Sequence, residues 1–284
     1  MKTILLTGST GFIGNYFVNR YQNQYNIKTF SFRNDNFQKL NLKEIDIVLH
    51  LSALVHQKKS LSQELYEKTN IVQTIDLAQK AKKQGVKQFI FMSTIAVYGS
   101  ESGFINEKTP CNPKTYYGKS KQQAEFQLLL LEDENFKISI IRPPLVYGYN
   151  APGNMKSLVS LVKKVSILPF SNIKNKRSMV YIGNLAHLID KIIKQEKEGI
   201  FLASDDKAIS TSKLIEMIAE ELGKKIFLIE VPFFEKILKK LKPDIYKKLF
   251  LSLEVDNSKT KQVLNLKNPY TLEEGIKYMI KGEN

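Results

Sequence analysis

The chain opens with an apolar run of strand length, Thr3 to Thr7, that breaks at Gly8 and passes Gly11 and Gly14 into a helix-compatible segment, Asn15 to Tyr21. Strand, tight turn and helix are predicted. Apolar runs at 27–32, 45–51, 88–93 and 138–142 read as further strands, and helical periodicity over 65–84 and 116–134 sets helices among them. Only a short polar stretch separates Arg33 from the run at 45–51, so the third strand of a doubly wound sheet, with its helix, is almost missing. Strands alternating with helices imply a parallel sheet covered on both faces. After Tyr147-Gly148 the pattern changes to a loop bearing glycine and proline, a short helix from Met155 and a basic stretch at 174–177. The runs at 179–182 and 200–203 predict strands that return to the sheet, and 211–222, 233–241 and 272–280 predict helices.

The first turn carries a chemical meaning. Gly8 allows the turn, Gly11 lets the backbone approach a pyrophosphate, and Gly14 lets the helix pack near the strand with its N-terminal N–H groups facing the phosphates. The expected architecture is therefore α/β, with a Rossmann-type doubly wound parallel sheet over 1–148, joined by 178–203. A smaller C-terminal substrate-binding α/β domain is expected over 149–177 and 204–284.

Composition narrows the partners. At 284 residues and 43% hydrophobic content the chain can hold one large core or a main domain with a smaller one. No apolar run approaches the roughly 18 to 20 residues of a membrane span, and the N-terminus enters a strand without a cleavable signal pattern, so a cytoplasmic protein is expected. The single Cys111 excludes an internal disulfide, and with His50, His56 and His187 scattered, no metal site is expected. A net charge of +15 calls for an anionic partner. The lysines are not interleaved with aromatic residues and no nucleic-acid-binding signature occurs, which excludes nucleic acid and leaves a phosphorylated metabolite or a membrane surface.

Two further segments carry candidate chemistry. The strand before Ser93-Thr94 places hydroxyls at the carboxyl edge of the sheet, where open α/β folds bind ligands. In Tyr117-Gly118-Lys119-Ser120-Lys121 the phenol and the ammonium are four residues apart on one helix face, so Lys121 is expected to favour the phenolate of Tyr117. Tyr117 is then a general acid or base.

With the glycine loop, Asn70, Arg142-Pro143-Pro144-Leu145-Val146-Tyr147-Gly148 and Arg177-Ser178-Met179-Val180-Tyr181-Ile182, nearly the whole chain resembles the extended short-chain dehydrogenase/reductase family of nucleotide-sugar epimerases and dehydratases. The resemblance implies catalytic roles for Thr94, Tyr117 and Lys121, with Lys121 also holding the nicotinamide ribose. It places Gly8, Gly11, Phe12, Ile13 and Gly14 on the pyrophosphate loop and Leu51, Ser52 and Ala53 beside the cofactor. It assigns Asn154 and Arg177, together with Thr94, to the substrate; His56 could lie over the substrate, although a solvated histidine is the simpler reading. Dehydratases of the family carry acidic residues directly after the catalytic threonine, where this chain has Ile95 and Ala96, so dehydration is not expected.

The expected activity is reduction of a UDP-linked 4-keto-6-deoxy-hexosamine at its 4-keto group in polysaccharide biosynthesis. The alternatives are a nucleotide-sugar 4-epimerase with retained NAD and, in another class, a non-catalytic cofactor-binding protein. NADP(H) is expected in preference to NAD, because Ser31 and Arg33 stand where an NAD site usually has a carboxylate, and Asp35 falls beyond the strand. The basic amphipathic segment 233–251 admits weak association with a membrane surface, against the simpler reading of packing on its own domain. A homodimer is left open.

Overall fold

The computed structural model describes residues 1–55, 61–100 and 102–283. In chain order it contains β1 (Thr3–Thr7), α1 (Phe12–Tyr21), β2 (Asn26–Phe30), β3 (Ile47–His50), α2 (Gln63–Tyr66), α3 (Gln73–Lys83), β4 (Gln88–Met92), β5 (Gly103–Ile105) and α4 (Tyr116–Leu129). There follow β6 (Lys137–Arg142), β7 (Leu145–Tyr147), α5 (Asn154–Lys164), β8 (Ile167–Leu168), β9 (Met179–Tyr181), α6 (Ile182–Gln195) and β10 (Gly199–Leu202). The last part holds α7 (Thr211–Glu221), β11 (Phe227–Leu228), α8 (Phe234–Leu241), α9 (Pro243–Phe250), β12 (Leu253–Val255), α10 (Ser258–Leu264) and α11 (Leu272–Lys281).

Six strands form one sheet in the order β10-β6-β4-β3-β1-β2, and every pairing in it is parallel. The architecture is the expected Rossmann-type α/β sheet. Alternate residues of each strand supply two cores. Ile4, Leu6, Ile47, Leu49, Ile90, Met92 and Ile141 pack with Phe17 of α1 and the apolar side of α6, whereas Leu5, Val48, Phe89, Phe91, Ile138 and Ile140 pack with α3 and α4. Among the described residues no strand lies beyond β2, so the shortened polar stretch after Arg33 does cost the sheet its usual outer strand; a single tight helical turn, Phe37–Lys39, lies there.

Chain direction across the sheet reverses at β1, which pairs β2 on one side and β3 on the other. Ligand crevices of open α/β sheets lie at such a switch point, outside the carboxyl ends of the strands. Here that edge carries Gly8 after β1 and Leu51-Ser52-Ala53 after β3.

Three elements differ from the pattern-based expectation. The run at 179–182 does not return to the large sheet; β9 pairs with β7 in a two-stranded sheet of its own. A long helix, α6, follows directly, with ten of its fourteen residues buried. The periodicity at 65–84 resolves into α2, a wider π-type turn over Glu67–Val72 and α3. A third core gathers around Met155, Phe170, Ile215 and Ile276, and it joins α5, α7 and α11.

Candidate active site

The glycine turn is built as its spacing implies. Gly8 has φ +76, and a Cβ there would stand 2.8 Å from the Ser52 backbone nitrogen; a Cβ on Gly14 would stand 2.2 Å from the Gly8 carbonyl oxygen. Neither position admits a side chain. Gly11 caps α1 without a side chain and no acidic residue occupies the first turn, so the positive end of the helix is open to an anion. Phe12 and Ile13 are half-buried in that first turn. His50 fixes the neighbouring strand ends: its Nδ1 meets Thr7 Oγ1 at 2.8 Å and its Nε2 meets Thr74 Oγ1 at 3.0 Å, while the Ser52 N–H donates to Thr7 Oγ1 at 3.2 Å. Burial holds His50 far below its ordinary value, at about 3, so it is a neutral linker.

Asn70 lies in the π-type turn and is buried. Its amide donates to the Leu54 carbonyl and to Ser120 Oγ, both at 3.0 Å, and its oxygen accepts from the Leu54 N–H at 2.8 Å. This one side chain ties the loop after β3 to the helix that carries Tyr117 and Lys121. That helix starts where Thr115 accepts from the Gly118 N–H at 3.0 Å. His56 lies outside the described residues.

Thr94 ends the β4 edge and caps the turn Ile95–Tyr98, its Oγ1 accepting from the Ala96 N–H at 3.2 Å. Tyr117, half-buried, hydrogen-bonds Thr94; burial pushes the phenol up to about 12, with the Thr94 bond opposing the rise. The expected effect of Lys121 on this phenol is not what the geometry delivers. Lys121 is fully buried, donates to the Met92 carbonyl at 2.8 Å and lies 4.2 Å from the centre of the Phe91 ring. Burial lowers its pKa from 10.5 to about 7, against the nearby Glu125 carboxylate, so its ammonium is itself unstable.

Replacement of Lys121 by Met, of similar length, is therefore expected to raise the Tm of the ligand-free protein while removing turnover. A gain of about 1 kcal/mol corresponds to roughly 2–4 °C in a chain of this class. The lysine's cost is full below about pH 7, where it is charged folded and unfolded, and fades as pH rises to 10.5, because the unfolded chain then binds more protons. Scanning calorimetry at pH 6 and pH 10 checks this: the gain should be larger at pH 6, and a lower Tm for the variant at pH 6 would contradict it.

Beneath the Tyr117 helix runs a buried polar network. Arg142 Nε donates to Glu125 Oε1 at 3.0 Å, Nη2 donates to Oε2 at 2.5 Å, and Nη1 donates to the Tyr98 hydroxyl at 2.8 Å; Ser93 Oγ donates to the same Glu125 carboxylate. Burial opposes the Arg142 charge, yet the hydrogen bonds and charge of Glu125 outweigh it and raise the pKa. Sequence reading missed Glu125, although its signal was present: it follows Lys121 by four positions and Tyr117 by eight, on the same helix face.

The other half of the site is a cavity of about 500 Å³. Asn154 at the start of α5, Arg177, Ser178 and Thr211 line it, as does Ile95, the neighbour of Thr94. Arg177 is half-buried with its Nη1 donating to the Leu251 carbonyl at 3.2 Å, and burial lowers its pKa. Asn175 anchors this wall, donating to the Leu249 carbonyl at 3.0 Å and accepting from the Thr211 N–H at 2.8 Å.

At the end of β2 one expectation changes. Asp35 does lie beyond the strand in sequence, but the turn folds it back so that its carboxylate accepts from the Ser31 N–H at 2.7 Å. Arg33 is exposed in the same turn, its N–H meeting Ser31 Oγ at 3.4 Å. The edge thus offers both an acid and a base. Among the described residues no cluster of three or more metal-ligating side chains occurs.

Comparison with known proteins gives the arrangement its context. The model of the NAD dependent epimerase/dehydratase family matches residues 4–202. A UDP-glucose 4-epimerase of Vibrio cholerae is 38% identical over 97% of this chain and 94% of its own. An N-acetyl-alpha-D-glucosaminyl-diphospho-ditrans,octacis-undecaprenol 4-epimerase of Escherichia coli O157:H7 is 28% identical over 81% of this chain and 75% of its own. Among solved structures, the UDP-N-acetylglucosamine 4-epimerase of Bacillus cereus superposes with a TM-score of 0.79 at 21% identity, covering 99% of this chain and 100% of that one. The glycine turn, the Thr94–Tyr117–Lys121 edge and these matches lead to one conclusion: the chain belongs to the NAD-dependent epimerase/dehydratase family, among the extended short-chain dehydrogenases/reductases.

Proposed function

We propose that the protein is a nucleotide-sugar 4-epimerase that works on a UDP-linked hexose or N-acetylhexosamine around a retained NAD. The observation that carries this reading is the 38% identity to a UDP-glucose 4-epimerase along nearly the full length of both chains. The fit of the site supports it. A Cβ on Gly8 or Gly14 would strike backbone, so the turn packs tightly and leaves the α1 N-terminus open to a pyrophosphate, with Leu51, Ser52 and Ala53 beside it. Asp35, returned to the end of β2, suits ribose hydroxyls.

Bound there, the nicotinamide would supply the redox chemistry at C4 of the sugar. Tyr117 takes the proton of the C4 hydroxyl as the alcohol is oxidised and returns it when the ketone is reduced on its other face. Thr94, already hydrogen-bonded to Tyr117, holds the same oxygen. Lys121 would hold the nicotinamide ribose. Arg177 and Asn154, on the cavity wall, would meet the diphosphate end of the substrate. Ile95 and Ala96 offer no acid to expel water, so the ring keeps its hydroxyls.

Reduction of a 4-keto sugar with NADPH is the second reading, and exposed Arg33 is the feature that favours it, as a partner for a 2′-phosphate. Cofactor retention separates the two. The purified protein is expected to release NAD on denaturation and to interconvert UDP-glucose and UDP-galactose, or their N-acetylamino counterparts, with no added cofactor. Protein that purifies free of nicotinamide and consumes NADPH in proportion to a UDP-4-keto-6-deoxy-hexosamine would replace the epimerase by the reductase.

A further inference from the structure

The helices α8 and α9 pack together as a hairpin on the wall of the cavity. Phe234 turns inward, its ring centre 5.9 Å from that of Phe170 and 6.4 Å from that of Phe250. A second apolar face is left over. Phe233, Ile237 and Leu241, four apart and so on one side of the helix, are 70%, 53% and 67% exposed, and no residue of α8 is fully buried. The face continues through exposed Ile245 on α9 and through Val231, Ile229 and Phe227, which alternate along the segment leading into α8. Ile167, exposed as well, is the cross-strand partner of Phe227.

An ordinary surface helix puts charge outward over a buried stripe. Here the outward stripe is apolar and the charge stands beside it: residues 224–248 hold eight lysines against the acids Glu230, Glu235 and Asp244. Lys236 reaches back over the Phe233 ring at 5.6 Å and Lys239 over Tyr246 at 5.6 Å, so their stems cover apolar surface while the amines stay outside. Such a face suits an interface that is apolar in depth and anionic at its rim. A second copy of the chain is a poor occupant, because a two-fold contact would set one lysine-rich face against its own like.

We propose that the α8–α9 hairpin docks the protein on the surface of an anionic phospholipid bilayer, with Phe233, Ile237 and Leu241 in the acyl boundary and the flanking lysines at the phosphates. Among the described residues no helix is long and apolar enough to cross a membrane, so the contact is in-plane. Ile245, Lys248 and Leu249 of α9 also line the cavity, so docking sets one of its walls at headgroup level.

The chain has no tryptophan, so Phe233→Trp in the whole protein gives a single reporter. At low salt it is expected to co-sediment with vesicles of phosphatidylcholine and phosphatidylglycerol, with a blue-shifted emission, and to bind pure phosphatidylcholine at least tenfold more weakly. Raising the salt to 0.5 M should release it. Adding Ile237→Glu and Leu241→Glu should abolish sedimentation while leaving the Tm and the turnover of soluble substrate unchanged, since both side chains are exposed and away from the cavity. Failure to bind anionic vesicles at low salt, binding that survives the double glutamate change, or a concentration-dependent dimer lost with that change would each overturn the docking. The vesicle assay reads association alone, so its outcome is independent of the reaction assigned to the site.

Discussion

Tyr117→Phe is expected to lower turnover about 10²- to 10⁴-fold, the usual contribution of a positioned acid or base, while the Tm stays within a few degrees of the parent. The substitution removes one hydroxyl, and with it the hydrogen bond to Thr94, but keeps the ring that sits 6.4 Å from Tyr66. Its pH profile is the sharper observable. With the phenol held up to about 12, only a small fraction is ionised at neutrality, so kcat/KM of the parent should climb with pH through 6–9. The residual rate of the phenylalanine variant should be flat over that range. A variant with parental turnover, or one whose rate still climbs with the same slope, would remove Tyr117 from the proton transfer.

Arg142→Met should be the most destabilising single change in the site. Glu125 and Arg142 are only 3% and 8% exposed, so removing the guanidinium leaves a buried carboxylate hydrogen-bonded to Ser93 alone. Breaking one side of such a pair costs about 3–5 kcal/mol. The cost reflects the unpaired charge rather than the worth of the pair. The double change Arg142→Met with Glu125→Leu should therefore recover most of the loss. Denaturant unfolding of the two single variants and the double variant checks this, and a double variant no more stable than Arg142→Met would show that the network matters through packing instead. The network also reaches the chemistry, since Glu125 is the carboxylate that opposes the lowering of the Lys121 pKa.

What the sequence disclosed, and what it withheld, divides by range. The glycine turn, the Tyr117–Lys121 spacing and the strand ending at Thr94 are local statements, fixed by a few consecutive residues, and the structure has the turn, helix and strand end that each implies. The shortened link after Arg33 was likewise visible as a missing outer strand. Features made by distant partners were not. Lys121 loses its influence on Tyr117 because its amine turns to the Met92 carbonyl, 29 positions away, and Asp35 regains the strand end through a turn whose closure no spacing rule announces. Helix α6 was overlooked although its signal was present: Ile182, Leu185, Ala186, Leu188, Ile189, Ile192 and Ile193 recur at helical spacing, but the helix follows β9 directly and no side-chain cap marks its start. Asn154 and Arg177 share one cavity wall although 23 positions separate them, a placement that family resemblance anticipated and residue pattern alone did not.

The open edge at β2 bears on how such proteins change over generations. In the turn from Ser31 to Asp35, Phe32 packs against the second core while Arg33, Asn34 and Asp35 are exposed, so substitutions at the exposed positions are nearly neutral for stability. The strand and helix that carry Thr94 and Tyr117, in contrast, are held by buried bonds of Glu125 to Ser93 and Arg142 and of Asn70 to Ser120. In the proposed cofactor site, selection is thus free to alter the charge at the end of β2, by exchanging Arg33 or Asp35, at little cost to folding. A lineage built on this frame can move between dinucleotide pools in a step or two while its catalytic edge stays where it is.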